Sequence, residues 1–228
     1  MATHDGHRER LRDTFLMHGL DSFHELQALE LLLFYAIPRR DTNPIAHALL
    51  DRFGSLDGVF AASEQELCEV PGIGKHAAAL ILLTPQIVKR SRVSAANEIQ
   101  YIRSGREAAQ YLRPRLDMER EEVALMICLD SKMAVINCVE LARGTVNMVD
   151  FSVRRVVEIA IKSKASYVVL AHNHPDGGPR MSREDSAVTS QVYKALDLVN
   201  IRLFDHILVA GDAYASINDL GGMQIFRY

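Results

Sequence analysis

The feature that most constrains this chain is an apolar run that ends in two histidines one residue apart. Residues 167–171 are apolar and contain adjacent valines, a pattern that predicts a buried strand leading into His172 and His174. Side chains two positions apart on a strand point to the same face of the sheet, so both imidazoles can reach one ion. The run therefore predicts a sheet with a polar site at the end of one strand.

A loop and a helix follow these histidines. Residues 176–179 hold adjacent glycines and a proline and predict a loop, and Ser182 opens a helical pattern that runs to about Val199. Asp185 then lies in the first helical turn, where the helix dipole favours a carboxylate. Two neutral imidazoles and one carboxylate would leave the fourth position of a tetrahedral Zn²⁺ to water, whose pKa the metal lowers to about 7. This order predicts a catalytic metal site.

The same residues also fit roles that need no metal. Ser182 and Asp185 match the capping pair S-x-x-[DE], which stabilises a helix start by itself. A histidine pair at a strand end is often only a polar rim of the sheet. A structural role is enough to explain each of these residues taken alone. A metal site is favoured because the strand with the histidines, the loop, the capping serine and the aspartate follow one another in this order. Ser182 can both cap the helix and face the metal-bound water.

The spacing of His172, His174, Ser182 and Asp185 resembles H-x-H-x7-S-x2-D, the JAMM motif of JAB/MPN metallopeptidases. The wider strings LAHNHPDGG, GHRERLRDTF and ELLLFYAIPRRDTNPIA, with DHI at 205–207, resemble the RadC family over nearly the whole chain. Members of that family join a JAB/MPN domain to a helix-hairpin-helix domain.

The resemblance implies a fold and a set of roles. The fold is α+β, with an all-α helix-hairpin-helix domain before a cytidine-deaminase-like JAB/MPN domain that contains a mixed sheet. His172, His174 and Asp185 would be the ligands of Zn²⁺. Ser182 would stabilise the oxyanion of a tetrahedral intermediate.

The family's mechanism also requires a glutamate upstream as general base. Glu122 matches best, because it precedes the predicted strand at 123–129 as the family's glutamate precedes its own strand. Glu121, on the opposite strand face, and Glu140, at the end of the next strand, are alternatives. Each of the three also fits a solvated charge at a strand end.

Two positions depart from the usual RadC pattern. Asp176 stands where the family string HNHPSG has serine, and Val153-Arg154-Arg155 stands where Pro-Arg-Glu is usual. Neither change removes a predicted ligand. Both lie near the site in sequence, and they therefore bear on its charge and its choice of substrate.

Composition limits the class of protein. At 228 residues and 48% hydrophobic composition, the chain can bury the cores of two small domains or the core of one larger domain. No apolar run reaches the roughly 18 residues that span a membrane, and the start MATHDGHRERLRD is not a signal peptide pattern. Cys68, Cys128 and Cys138 have no C-x-x-C spacing, which argues against a disulfide framework or a zinc knuckle. We expect a cytoplasmic protein without a membrane partner.

Hydrophobic periodicity separates two parts of the chain. Residues 1–95 predict a helical domain with helices at 6–18, 25–35, 44–53, 56–61, 63–70 and 75–90. The small polar stretch at 91–97 indicates a linker, and we place the connection between the domains at 96–104.

Residues 105–228 alternate between helical and strand patterns. We predict helices at 105–113, 152–163 and from Ser182, and strands at 123–129, 133–140, 145–149, 203–209 and 214–217 in addition to the histidine strand. Such an order gives a mixed sheet packed with helices. On the strand at 203–209, His206 either orients a metal ligand or is a satisfied core residue, and both roles stay open.

The string from Val70 to Ala78, VPGIGKHAA, resembles the hairpin of a helix-hairpin-helix module. Gly72 and Gly74 would allow a tight turn and present amides at a helix start, which suits a DNA phosphate, and Lys75 would add a positive charge. Such contacts do not read bases. Residues 1–95 contain ten Lys and Arg against twelve Asp and Glu, so we expect only weak, salt-sensitive and sequence-independent DNA binding.

Two functions from different classes follow. The first is a zinc metallopeptidase or isopeptidase of the JAMM type, acting on a peptide or protein. The second is a DNA-repair-associated protein that binds DNA through the hairpin, with the metal domain as a scaffold or nuclease. The metal motif favours the first. The second would need a basic surface, and residues 1–95 contain more acidic than basic side chains.

Overall fold

The computed structural model describes residues 3–117, 119–144, 152–175 and 177–221. The chain divides into two compact units, Met1–Val88 and Lys89–Tyr228. The predicted strand at 145–149 and the departure at Asp176 lie outside the described residues. None of the helices in the described ranges is long and apolar enough to cross a membrane.

The first unit is helical, as predicted. Its helices are α1 (Thr3–His18), α2 (Glu25–Ala36), α3 (Asn43–Phe53), α4 (Leu56–Ala61), α5 (Glu64–Cys68) and the first part of α6 (Lys75–Ala96). Ser63 is the N-cap of α5 and forms a capping box with Glu66, which agrees with the helix start predicted at 63. Apolar side chains of these helices form one core around Leu29, Leu33 and Leu49.

The linker predicted at 91–97 is wrong over residues 91–96, which form the last turns of α6. The small polar side chains there suggested a linker, but alanine and serine are accepted in helices and no glycine or proline interrupts the stretch. The helix ends where the Asn97 amide donates to the Val93 carbonyl. The boundary between the two units therefore falls within α6.

The turn between α5 and α6 depends on one of its two glycines. Gly72 has φ +99°, and a Cβ added there would lie 2.7 Å from the Ile45 Cδ1 atom. A Cβ on Gly74 would meet no atom within 4 Å. The Ile73 amide donates to the Val70 carbonyl, and the Gly74 carbonyl accepts the bond from Ala78 that begins α6. Only at position 72 does the turn require glycine.

The second unit contains the mixed sheet that the sequence predicts. After α7 (Gly105–Leu116) come β1 (Val123–Leu129), β2 (Val135–Arg143), α8 (Val153–Lys162), β3 (Tyr167–Asn173), α9 (Arg183–Asp197), β4 (Arg202–Ala210) and β5 (Ala213–Ser216). The strand order is β2-β1-β3-β4-β5. β3 and β4 are parallel, and the other neighbouring pairs are antiparallel.

Helices cover both faces of this sheet. On one face, side chains such as Met126 and Leu170 pack with α8 and α9. On the other face, side chains such as Ile127 and Val169 pack with α7. β1 is buried along its whole length for this reason, and its sequence is a continuous apolar run. His172 has the same strand parity as Leu170, and it therefore lies on the α9 face at the end of β3.

Candidate metal centre

His172, His174 and Asp185 converge at the end of β3. The two Nε2 atoms are 3.2 Å apart. Asp185 Oδ1 lies 3.4 Å from His172 Nε2, and Asp185 Oδ2 lies 3.9 Å from His174 Nε2. Tetrahedral zinc with bonds of about 2.0 Å holds its ligand atoms about 3.3 Å apart. Within the described parts of the chain, this is the one group of His, Cys, Asp and Glu side chains close enough to hold a metal ion.

The backbone of β3 and β4 places the two histidines. The alternation of the strand puts His172 and His174 on one face, as predicted. The His174 amide donates to the Val209 carbonyl at 3.0 Å, which continues the pairing with β4 beyond the last residue of β3. The His172 side chain is fully buried, whereas that of His174 is 21% exposed. The cluster is therefore open to solvent on the His174 side.

Asp185 makes the capping contacts and also faces the two histidines. The Ser182 amide and hydroxyl donate to Asp185 Oδ2 at 2.8 and 2.7 Å, and the Asp185 amide donates to Ser182 Oγ at 3.0 Å. This capping box leaves Oδ1 directed at His172. Burial acts to raise the pKa of Asp185, but the nearby imidazole of His172 and the hydrogen bonds from Ser182 outweigh it and hold that pKa well below its usual range. The carboxylate is thus an anion suited to a metal.

A chain of buried polar groups lies behind the ligands. His172 Nδ1 is 3.0 Å from His206 Nε2 on β4. His206 Nδ1 is 2.6 Å from Thr189 Oγ1 on α9, and the Thr189 hydroxyl donates to the Asp185 carbonyl at 2.5 Å. Burial lowers the pKa of the fully buried His206 well below its usual value, and the nearby His172 lowers it further. His206 therefore contacts a predicted ligand.

Sequence reasoning missed Thr189, although a signal for it exists. Asp185 and Thr189 are four residues apart on α9, and residues at that spacing share one face of a helix. Once Asp185 is assigned to the site, a hydroxyl at this spacing is expected beside it.

Asn173, between the two histidines, was also missed. Its side chain points to the other face of the sheet and binds the segment before β1. Asn173 Oδ1 accepts from the Val123 amide at 2.7 Å, and its Nδ2 donates to the Glu121 and Glu119 carbonyls at 3.0 and 3.4 Å. These bonds flank Glu122 on both sides. The amide thus connects the backbone of the predicted general base to the ligand strand.

The three candidate bases differ in the face on which they lie. Ala124 pairs with His172, and strand alternation puts Glu122 on the face of the cluster and Glu121 on the opposite face. Glu140 pairs with Leu125 on the opposite face, and its carboxylate binds Arg143 at 2.8 Å. Among the described residues, the Glu122 carboxylate makes no hydrogen bond with the three ligands. Glu122 thus stays a prediction, with the strand parity in its favour.

The hairpin residues belong to the other unit. Gly74 and Lys75 are exposed at the start of α6, and Gly72 is half-buried in the turn before it. The anion site predicted at this exposed helix start stays a prediction.

A mixed sheet with a His-x-His strand end beside a Ser-x-x-Asp helix start is the arrangement of a JAB-type domain. Residues 102–222 match the family described as "RadC-like JAB domain". The chain is also 34% identical to UPF0758 protein FN0909 of Fusobacterium nucleatum over 95% of this chain and 96% of the relative. The chain belongs to the RadC family.

Two further relatives have the same kind of name. UPF0758 protein BAV2405 of Bordetella avium and UPF0758 protein Bpet3149 of Bordetella petrii are each 35% identical to the chain. In both cases the similarity covers 93% of this chain and 95% of the relative. None of these names states an activity. The function must therefore be argued from the site.

Proposed function

We propose that this chain is a zinc-dependent hydrolase of the JAMM type, which cleaves an amide bond in a peptide or a protein as a peptidase or isopeptidase. The observation that carries the proposal is the convergence of His172, His174 and Asp185, with a solvent opening beside His174. Three ligands and one open position are the arrangement of catalytic zinc sites, whereas structural sites are closed by four protein ligands. Membership of the RadC family supports the same conclusion.

The donor set of the cluster fits zinc. It consists of two imidazole nitrogens and one carboxylate oxygen, which are borderline ligands of the kind that zinc binds. Bound zinc would polarise the amide carbonyl and lower the pKa of a water molecule. The remaining steps belong to side chains of the protein.

Glu122 and Ser182 would carry out these steps. Glu122 accepts the proton of the attacking water and passes it to the nitrogen of the leaving amine. The Ser182 hydroxyl, which donates to Asp185 Oδ2 here, rotates about its Cβ–Oγ bond and donates to the developing oxyanion. Its oxygen keeps accepting the Asp185 amide during this rotation, so the helix start stays intact.

Glu122→Gln tests this proposal, with Glu121→Gln as the matched control on the neighbouring residue. Each zinc-loaded protein is incubated with peptide and isopeptide-linked substrates, and the release of free amine is measured. Glutamine cannot take up a proton, so we expect the rate to fall about 100-fold or more in Glu122→Gln with unchanged zinc content. Glu121→Gln should stay within about twofold of the wild type, because its side chain lies on the other face.

Two outcomes would count against the proposal. If Glu121→Gln lost activity while Glu122→Gln kept it, the assignment of the base would be wrong. If the zinc-loaded wild type released no amine from any substrate of either class, the hydrolase itself would be refuted.

The hairpin favours a second function. A turn that needs glycine at 72, followed by a helix that starts at Lys75, has the features of a phosphate-binding hairpin. We infer weak, sequence-independent binding of DNA phosphates at this turn. This function does not depend on the metal centre, and the two are tested separately.

A further inference from the structure

We propose that His206 is a positioning residue of the metal centre. Together with Thr189, it keeps the proton of His172 on Nδ1, so that the lone pair of His172 Nε2 faces the metal. The proposal rests on the zinc site proposed above, and it assigns roles to two residues that are not ligands. Its basis is the direction of each buried hydrogen bond, from donor to acceptor.

The direction of the bonds is set by a backbone carbonyl. The Asp185 carbonyl can only accept, so the Thr189 hydroxyl must donate to it. Having used its one proton, Thr189 Oγ1 must accept from its other neighbour, His206 Nδ1. His206 therefore carries a proton on Nδ1.

The proton of His206 in turn fixes the position of the proton on His172. His206 has no exposed surface, and a charged imidazole without a directly bonded carboxylate is costly in such a place. A neutral ring that is protonated on Nδ1 has only an acceptor on Nε2. His172 Nδ1, 3.0 Å away, must then be the donor. A neutral His172 with its proton on Nδ1 leaves Nε2 free, and Nε2 is the atom that faces His174 and Asp185.

The chain of bonds also links two ligands that come from different elements. It starts at the ring of His172 on β3, passes through β4 and α9, and ends at the backbone of Asp185. These hydrogen bonds therefore fix the positions of the protons on His172 and His206. They also hold β3 and α9 at a set distance before any metal binds. An outer partner that orients a ligating histidine typically strengthens metal binding about 10- to 100-fold.

A purely structural role is the alternative explanation. A buried histidine with two satisfied nitrogens stabilises the fold whether or not a metal binds. Asp205, the preceding residue on β4, is a buried polar residue with a structural role and serves as the control. It is fully buried, and its carboxylate accepts from the Ser216 hydroxyl at 2.6 Å and from the backbone amides of Asn218 and His206 at 3.0 and 2.7 Å. Among the described residues, it bonds neither to the metal cluster nor to the His206 ring.

The test compares His206→Phe and Asp205→Asn in the full chain. Phenylalanine keeps a ring of similar shape but accepts no proton, so His172 Nδ1–H loses its partner. We measure the zinc dissociation constant by competition with a chromophoric chelator, and the unfolding free energy of each metal-free protein in denaturant. We expect zinc to bind about 10- to 100-fold more weakly to His206→Phe, and within about twofold of the wild type to Asp205→Asn.

Two more variants sharpen the assignment. His206→Gln restores an acceptor for His172 Nδ1, so it should recover part of the zinc affinity that His206→Phe loses. Thr189→Val leaves His206 without a fixed tautomer, and it should weaken zinc binding less than His206→Phe does. Nitrogen-15 spectra of the metal-free wild type report the tautomer directly, and we expect His172 to carry its proton on Nδ1. This spectrum keeps the proposal testable even if His206→Phe does not fold.

The outcomes separate this inference from the proposed function. Equal zinc affinity in His206→Phe and the wild type, equal weakening in Asp205→Asn, or a proton on His172 Nε2 would each overturn the positioning role. If His206→Phe alone loses affinity, the role stands even where no amide bond is cleaved. A wild type that binds no zinc would refute the metal site and this inference together.

Discussion

The candidate metal centre and the glycine hairpin are built in different ways. The metal centre takes its side chains from β3, α9 and β4, and the chain between His174 and Asp185 leaves the sheet and returns. The hairpin is one short stretch between α5 and α6, and its features are backbone features: a positive φ at Gly72 and the start of a helix at Lys75. The metal centre is formed by side chains that converge from several elements, whereas the hairpin is formed by the conformation of the backbone.

This difference has consequences for mutation. A ligand side chain near the surface can be removed without disturbing the strand that holds it, because the backbone pairing of β3 and β4 does not involve the imidazole. A glycine that holds a left-handed turn cannot be replaced in this way, because the conformation itself is what the residue supplies. Changes in the metal centre should therefore affect binding, and changes in the hairpin should affect stability.

His174→Ala should have the largest effect on function and little effect on the fold. We expect zinc content to fall from about one ion per chain to none, because two ligands do not hold zinc. The unfolding free energy of the metal-free protein should change by less than about 1 kcal/mol, since the side chain lies beyond the end of β3 and is partly exposed. Elemental mass spectrometry and denaturant unfolding measure the two quantities.

The control for this variant is His76→Ala, which removes an exposed histidine of the other unit. It should keep the zinc content of the wild type. Equal zinc content in His174→Ala and His76→Ala would show that the cluster does not hold the metal.

Gly72→Ala should destabilise the first unit by about 1–3 kcal/mol, because alanine is strained at this φ and its Cβ meets Ile45. Gly74→Ala is the matched control, with open space around its Cα and an expected cost below about 1 kcal/mol. Chemical denaturation of both variants compares them. Similar costs at the two positions would mean that the turn does not depend on the conformation of Gly72.

Lys75→Ala should have the smallest effect, on DNA binding alone. Loss of one phosphate contact should lower the slope of log affinity against log salt by about 0.9. Lys162→Ala, which removes an exposed lysine of α8, should leave the slope unchanged. Fluorescence anisotropy with a duplex at several salt concentrations measures the slope. An unchanged slope in Lys75→Ala would remove the hairpin from DNA binding.

Local patterns predicted most elements of the fold, because helix and strand periodicity and capping residues act over a few residues. The start of α5 at Ser63 and the continuous apolar run of β1 are examples. Element ends were predicted less well. The sequence predicts that α7 ends at Arg113, but α7 continues through Pro114 to Leu116. A proline near the last turn costs only one backbone hydrogen bond, and Leu116 is buried in the core.

The sequence by itself determined the ligand types, their order along the chain and the alternation that puts His172 and His174 on one face. These properties are local, since they follow from the repeat of a strand and the start of a helix. Only the tertiary structure decided that His206 on β4 contacts His172, that Thr189 completes the chain to Asp185, and that Asn173 holds the segment of Glu122. Such contacts depend on strand order and register, which packing of the whole sheet selects and no short stretch of sequence contains.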